Sequence, residues 1–120
     1  METLSLFRHS SDIVWCTPGQ VVFCEGEPGD YMYVVLEGEV DLIAGDRVLE
    51  AARAGSILGE MAIIDHRPRS ASAIARTDSK LVRIDQKRFA FLVQETPFFA
   101  THVMKVMADR LRTMDLRLAA

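Results

Sequence analysis

All seven glycines of this 120-residue chain lie between positions 19 and 59, and mostly seven to ten residues separate one from the next. Glycine favours turns and weakens helices, so a stretch interrupted this often has room for short strands but not for a long helix. The positions are Gly19, Gly26, Gly29, Gly38, Gly45, Gly55 and Gly59. The first half of the chain is therefore predicted to consist of short strands joined by turns.

The segments between the glycines are rich in β-branched and aromatic residues, which fit a pleated surface. Pro28-Gly29 predicts a turn, and Glu37-Gly38-Glu39 is predicted to be a hairpin tip. Strands are expected at residues 21–24, 31–36, 40–43, 72–76 and 80–84. With the remaining segments the total comes to about eight, which is typical of a jelly roll or a small antiparallel barrel. This barrel is predicted to occupy about residues 12–84.

The last third of the chain changes to a helical period. Asp85 can cap a helix that begins at Gln86, and Thr96-Pro97 can begin a second helix. In the second helix, residues recur on one face at spacings of three or four: Phe99, Val103, Val106, Met107, Arg110, Met114 and Leu118. Two closing helices over about residues 86–118 are predicted, and 120 residues with 49% hydrophobic content suit a single domain over 1–120.

Charge is unevenly distributed along the chain. The net charge is −3, but the first sixty residues carry three arginines against eleven acids, and the last sixty carry eleven basic residues against six acids. An anion is therefore expected to bind the second half. No apolar run is long enough to span a bilayer and no signal peptide is recognisable, which predicts a cytoplasmic protein without a membrane partner.

Cys16 and Cys24 lie in apolar, β-branched surroundings without CxxC spacing. They are predicted to be two reduced core thiols, with a disulfide as the alternative. His9, His66 and His102 lack the paired spacing of metal ligands, so neither a metal nor a cofactor is expected. No nucleophile with an adjacent base is evident, so the chain is predicted not to be an enzyme.

The candidate chemistry lies between residues 55 and 73. Gly59 lets the backbone approach a ligand closely, and a turn of helix at 60–64 would offer free N–H groups to a phosphate. Arg69 would add the balancing charge. The Glu60 carboxylate would repel a phosphate but can accept hydrogen bonds from a sugar hydroxyl. The segment therefore suits a sugar phosphate.

Gly59-Glu60-Met61-Ala62 and the later Pro68-Arg69-Ser70-Ala71 resemble the phosphate-binding cassette of the cyclic-nucleotide-binding family. This family includes the bacterial catabolite activator, the regulatory subunits of cyclic-AMP-dependent kinase and nucleotide-gated channels. The resemblance extends to residues 25–30 and 33–38 and to the closing helices. It implies a mainly β fold: an antiparallel barrel with a short N-terminal helix and two C-terminal helices.

Carried over by position, the resemblance implies that Glu60 holds the ribose 2′-hydroxyl and that Arg69 pairs with an equatorial phosphate oxygen. Further contacts are implied for Gly59, Met61, Ala62, Ser70 and Ala71, with Ile57 and Leu58 lining the base pocket. Family members selective for cyclic GMP often have Thr at the position of Ser70, although Ser also occurs in cyclic AMP binders. The expected ligand is therefore cAMP in preference to cGMP.

Each key residue has a structural alternative. Glu60 could be a helix-start residue that the macrodipole favours. Arg69 could be an exposed arginine or the partner of a nearby acid, and Arg67 could take its place as the ligand arginine. The motif favours Glu60 and Arg69 as ligand groups.

The predicted function is a sensor that binds a cyclic nucleotide and relays its occupancy by repacking the closing helices, with a hinge near residues 95–97. The expected partners are an effector protein and a second copy bound through the C-terminal helix. Met114 and Asp115 replace polar residues with which the catabolite activator reaches adenine, so the resemblance does not carry its base contacts or its dimer mode over to this chain. No helix-turn-helix follows, so no direct DNA binding is expected. The alternatives are a ligand-free protein-interaction barrel and the sensor half of a transcription regulator.

Overall fold

The computed structural model describes the backbone of residues 2–119 and the side chains of residues 3–113. The strands are β1 Ile13–Cys16, β2 Val21–Phe23, β3 Tyr31–Glu37, β4 Val40–Ala44, β5 Arg47–Ala52, β6 Ile57–Leu58, β7 Ser72–Ala75 and β8 Ser79–Asp85. The helices are α1 Glu2–Phe7, α2 Glu60–Asp65, α3 Gln86–Glu95 and α4 Pro97–Ala119. The prediction of a mainly β fold with a short N-terminal helix and two C-terminal helices is confirmed.

Two compact units make up the chain, Met1–Gln86 and Lys87–Ala120. The first contains all the strands of the described residues, in two antiparallel four-stranded sheets with the orders β1-β8-β3-β6 and β2-β7-β4-β5. Non-consecutive strands pair in both sheets, as in a jelly roll. That the two units form one domain over residues 1–120 stays a prediction.

The predicted hairpin tip at Glu37-Gly38-Glu39 is wrong, because β3 and β4 belong to different sheets. Gly38 has a φ of 89°, and a Cβ there would meet the Asp78 carbonyl oxygen and, at 2.5 Å, the Ser79 hydroxyl oxygen. The turn is thus pressed against the start of β8, and the chain passes through it from one sheet to the other. Turn composition alone does not say whether two flanking strands pair with each other.

Side chains from both sheets fill the interior of the barrel. Because alternate strand residues point to opposite faces, each strand contributes one or two of them. The cluster consists of Cys16, Phe23, Tyr33, Val35, Val40, Leu42, Ala52, Leu58, Ala73, Ala75 and Leu81. Phe23 and Tyr33, from opposite sheets, stack with their ring centroids 5.9 Å apart. The interior is therefore packed where the two sheets face each other across these rings.

The two cysteines are free, but only Cys16 is buried. The prediction of two core thiols is right for Cys16 and wrong for Cys24. The reason is local, since β2 ends at Phe23 and Cys24 already belongs to the exposed loop that follows.

The second unit comprises the closing helices, which begin at the predicted residues. Leu92, Phe99 and Val103 are buried, and the rings of Phe89 and Phe99 meet edge to face at 6.4 Å. Met114 and Leu118, which are expected on the apolar face, lie outside the described side chains. Asp115, which is expected to replace an adenine-contacting residue, also lies outside them. In the described part of the chain, no helix is long and apolar enough to cross a membrane.

In the folded protein, iodoacetamide is expected to alkylate Cys24 and to reach Cys16 only after unfolding. The pKa of Cys24 is raised by local desolvation and by the neighbouring Glu27 carboxylate, so less thiolate is present at pH 8 than in a free thiol. Alkylation should therefore be slow at pH 8 and accelerate as the pH rises.

The Glu27→Gln substitution should speed the alkylation of Cys24 at pH 8, because the negative charge of Glu27 and its side-chain hydrogen bond both raise the pKa of the Cys24 thiol. Glu25→Gln on the same loop serves as the matched control and should leave the rate unchanged. Mass spectrometry of the alkylated peptides measures both rates. Faster modification of Cys16 than of Cys24 in the native protein would contradict the assignment.

Candidate functional site

The segment between β6 and β7 carries the predicted site. Gly59 follows β6 with φ 74° and ψ 16°, a left-handed conformation that turns the chain directly into α2. The helix ends at Asp65, and its C-cap residue His66 is also left-handed with φ 59°; the His66 N–H donates to the Ala62 carbonyl oxygen at 3.1 Å. The chain then extends through Arg67 towards β7. We call residues 59–71 the cassette segment.

Arg69 is the buried cation of the cassette segment, and only 6% of the residue is exposed. Its Nη1 donates to the Gly59 carbonyl oxygen at 3.2 Å, and its Nη2 donates to the Tyr31 carbonyl oxygen at 2.6 Å. The Arg69 Cζ lies 4.2 Å from the centroid of the Phe23 ring, within the range of a cation–π contact. Three different elements therefore surround one guanidinium.

Two glycines make room for this guanidinium. A Cβ on Gly29 would lie 2.7 Å from Cζ of Arg69, 2.8 Å from its Nε and 2.5 Å from the Ala62 Cβ. A Cβ on Gly59 would collide with Nη1 of the same arginine. Any larger residue at either position would have to displace the arginine or the backbone.

The loop between β2 and β3 is bonded to the backbone of Arg69 in both directions. The Gly26 N–H donates to the Arg69 carbonyl oxygen at 2.8 Å, and the Arg69 N–H donates to the Glu27 carbonyl oxygen at 2.8 Å. Nearby, the Glu25 N–H donates to the Ser72 hydroxyl at 2.8 Å. This loop therefore fixes the main chain on either side of the arginine.

The surroundings of Arg69 do not fully compensate its positive charge. Burial lowers the pKa of its guanidinium, because desolvation outweighs the attraction of Tyr33, Asp30, Glu27 and Glu60. The hydrogen bonds described above reach neutral carbonyl oxygens, and the buried Nε has no hydrogen-bond partner. A buried charge compensated in this way would gain from a bound anion.

The structure settles where the two competing arginines lie. Arg67 is exposed, with 83% of its side chain accessible, and its Nε lies 3.9 Å from the Asp65 carboxylate. The alternative that Arg69 is an exposed arginine is wrong, because Arg69 is almost completely buried. Only Arg69 is enclosed by the barrel.

The other predicted site residues are placed unequally. Glu60 is 2% exposed at the start of α2, and Ala62 and Ala71 are buried, whereas Met61 and Ser70 are exposed. Leu58 belongs to the interior cluster with Phe23 and Tyr33. Its neighbour Ile57 is also buried, but consecutive strand residues face opposite sides of the sheet. The arrangement therefore does not bring Ile57 to the same face as Leu58.

Sequence reasoning missed two contributors to the site and gave no reason for a third. Phe23 and the Tyr31 carbonyl hold Arg69, yet both are distant from it along the chain, and a carbonyl carries no side-chain signal. Gly29 lies in a stretch quoted for the resemblance, but only the fold shows that it faces the guanidinium. Within the described residues, no group of three or more His, Cys, Asp or Glu could hold a metal ion.

A family model described as the cyclic nucleotide-binding domain matches residues 13–96, which include the whole cassette segment. This chain belongs to the cyclic nucleotide-binding domain family. The match also spans Phe23, Gly29 and Tyr31, so the groups that surround Arg69 are part of the matched region.

Relatives with this domain include proteins of different kinds. The cyclic AMP receptor protein of Thermus thermophilus is 32% identical over 105 residues, which are 83% of this chain and 49% of that protein. A cGMP-dependent protein kinase of Caenorhabditis elegans is 42% identical over 76 residues, 63% of this chain and 10% of the kinase. The crystal structure of the Thermus thermophilus catabolite activator protein matches with a TM-score of 0.84 at 29% identity, covering 98% of this chain and 58% of that one. The chain thus spans about half the length of its bacterial relative.

The close approach at Gly29 can be tested on the free protein. Gly29→Ala should lower the free energy of unfolding by about 1–3 kcal/mol, because the new Cβ overpacks Arg69 and Ala62. It should also shift the NMR signal of the Arg69 Nε–H.

Gly19→Ala, in the turn between β1 and β2, is the control, since its Cβ would meet nothing within 4 Å and its cost comes from a φ of 87° alone. This variant should lose roughly 1 kcal/mol of stability and leave the Arg69 signal in place. Urea unfolding and the Arg69 spectrum give the two readouts. An unshifted Arg69 signal in Gly29→Ala would refute the contact.

Proposed function

We propose that the chain binds 3′,5′-cyclic AMP in preference to cyclic GMP, and that Arg69 pairs with the cyclic phosphate. The observation that supports this most is the state of the Arg69 guanidinium, which is buried among neutral acceptors with Nε unpartnered. A cyclic phosphate carries one negative charge, which would compensate the cation. Its oxygens are also good acceptors for the planar N–H groups of arginine.

Glu60 is proposed to accept a hydrogen bond from the ribose 2′-hydroxyl. Its carboxylate is almost fully buried at the start of α2 and is one of the acids whose field acts on Arg69. An ionised carboxylate can only accept hydrogen bonds, so it would select a hydroxyl and not a second phosphate oxygen. The buried Glu60 carboxylate and the buried Arg69 guanidinium thus match the ribose hydroxyl and the phosphate of a cyclic nucleotide.

The remaining contacts are proposed to come mainly from the main chain. Glu60, Met61 and Ala62 form the first turn of α2, and their amides are proposed to donate to phosphate or ribose oxygens. Ser70 and Ala71 adjoin Arg69 and are proposed to add further hydrogen bonds. Leu58 is proposed to contribute apolar surface for the base, and the Gly59 backbone is proposed to lie close to the nucleotide.

The preference for cAMP is proposed from the comparison with two relatives. The cyclic AMP receptor protein resembles most of the chain, whereas the cGMP-dependent kinase resembles a shorter part at higher identity. Ser70 is exposed and offers a hydroxyl, which a guanine amino group could also reach. The preference therefore follows the wider resemblance and not a base contact within the site.

We further propose that the chain acts as a regulator and not as an enzyme, and that occupancy changes the packing of α3 and α4. Only Thr96 separates these helices, which suits a hinge. They also expose large apolar side chains, Phe91 at 62%, Met104 at 61% and Leu111 at 56%. Hydrogen exchange with and without cAMP would measure the change, and identical protection of both helices would contradict it. Cytoplasmic location, the effector and the homodimer stay predictions from the sequence.

Calorimetric titration with cAMP and cGMP tests the role of Arg69. Arg69→Ala should weaken nucleotide binding by roughly ten- to a hundred-fold, because a charge-assisted contact of about 1.5–3 kcal/mol is lost. Arg67→Ala is the matched control, two positions away and exposed, and should change the affinity by less than about twofold.

Arg69→Lys, which keeps the charge but loses the planar fork, guards against a folding defect in the alanine variant. Circular dichroism verifies that each variant is folded. No heat with either nucleotide would favour a ligand-free interaction module, and equal losses in the two alanine variants would refute the assignment to Arg69.

A ligand change paired with a protein change tests Glu60. Glu60→Gln should weaken cAMP binding by about tenfold, because the hydroxyl then meets a neutral acceptor. The same substitution should barely affect 2′-deoxy-cAMP, which lacks the hydroxyl. Asp65→Asn, at the exposed end of the same helix, should affect neither ligand. Equal losses for both nucleotides would show that Glu60 only supports the fold.

A further inference from the structure

The Phe23 ring is the one aromatic surface against which the Arg69 guanidinium rests among the described residues. The ring is 8% exposed, at the end of β2, and it stacks on Tyr33 with an interplanar angle of 29°. Phe23 is therefore itself held in place by the opposite sheet. A fixed ring can define the position of a side chain that would otherwise have several rotatable bonds.

A cation–π contact attracts a guanidinium without a hydrogen-bond acceptor. The attraction acts between the positive charge and the ring quadrupole, so the ring supplies no carbonyl or carboxylate oxygen. In this site, one N–H of Nη1 and one of Nη2 are taken by the Gly59 and Tyr31 carbonyls. The Nε–H remains unpartnered, and the Phe23 contact does not compete for it.

An arginine side chain loses much rotamer freedom when it becomes ordered, and ordering before the ligand arrives removes that cost from binding. The two carbonyl bonds hold the guanidinium at Nη1 and Nη2, while the Phe23 ring contacts it near Cζ. The cation is thus held at three points, and its Nε–H has no hydrogen-bond partner.

We propose that Phe23 is a positioning residue for nucleotide binding, acting through Arg69: its ring holds the guanidinium in place before the phosphate arrives. This inference rests on the proposed function, in that the gain appears as affinity for a cyclic phosphate. It predicts that the electron density of the ring, and not only its shape, contributes to binding.

Stepwise fluorination of Phe23 separates these two contributions. Fluorine atoms withdraw electron density from the ring face and change its shape little, so they weaken a cation–π contact while largely preserving the packing. Affinity for cAMP should fall with each added fluorine, and Phe23→Leu should reduce it by about three- to thirty-fold. Phe7, which is also buried but makes no described contact with Arg69, is the matched site for the same fluorination and should give no trend.

The series is repeated in the Arg69→Ala variant, where the dependence on fluorination should disappear because the cation is absent. A trend that persists without Arg69, or affinity that stays constant or rises along the series, would overturn the inference. If the wild-type protein binds neither cAMP nor cGMP, the proposed function fails instead.

In that case, NMR of the free protein still decides the positioning role. The Arg69 Nε–H should give one sharp signal shifted by the ring current of Phe23, and Phe23→Leu should remove the shift and broaden the signal. A mobile Arg69 in the wild type, or a spectrum unchanged by Phe23→Leu, would contradict the inference independently of any nucleotide.

Discussion

A buried guanidinium whose hydrogen bonds go to main-chain carbonyls organises one end of this barrel. Arg69 bonds to the Gly59 and Tyr31 carbonyls and stacks on Phe23, so it joins the cassette segment to strands of both sheets. Desolvating a cation costs free energy, and neutral acceptors return only part of it. The surrounding structure must therefore be rigid enough to keep the charge inside while no anion is bound.

Several features of the structure allow the Arg69 guanidinium to be buried. Gly29 and Gly59 lack the side chains that would displace the guanidinium. The loop between β2 and β3 exchanges main-chain hydrogen bonds with Arg69. These bonds hold the Arg69 backbone against the loop and so keep the side chain inside. By contrast, Arg67 faces water and pairs loosely with Asp65. Positions 67 and 69 would share a face in a regular strand, but residues 66–70 form no strand, so the two arginines on either side of Pro68 have opposite environments.

In the proposed binding mode, one cation and one buried acid, Glu60, bind a ligand that has one charge, hydroxyls and ring oxygens. Most of the remaining proposed donors are main-chain amides, whose directions follow from α2 and from the left-handed turn at Gly59. A cyclic AMP receptor protein and a cGMP-dependent protein kinase are among the relatives that share this domain. Function resides in sites carried by a fold, so one kind of domain can occur in proteins of different kinds.

Much of the fold was predictable, because glycine spacing, β-branched segments and the Thr96-Pro97 helix start are local signals that depend on nearby residues alone. The cassette motif likewise indicates Glu60 and Arg69 from the sequence alone. Which strands pair was not predictable: β3 and β4 adjoin in sequence but lie in different sheets, since pairing depends on contacts far apart along the chain. The exposure of Cys24 and the opposite faces of Ile57 and Leu58 depended on strand ends and register. What the sequence determined by itself was the family of elements and the motif. Only the tertiary structure decided that Phe23, Gly29 and the Tyr31 carbonyl enclose Arg69, because a stacked ring, an absent Cβ and a carbonyl acquire their roles only when distant segments meet.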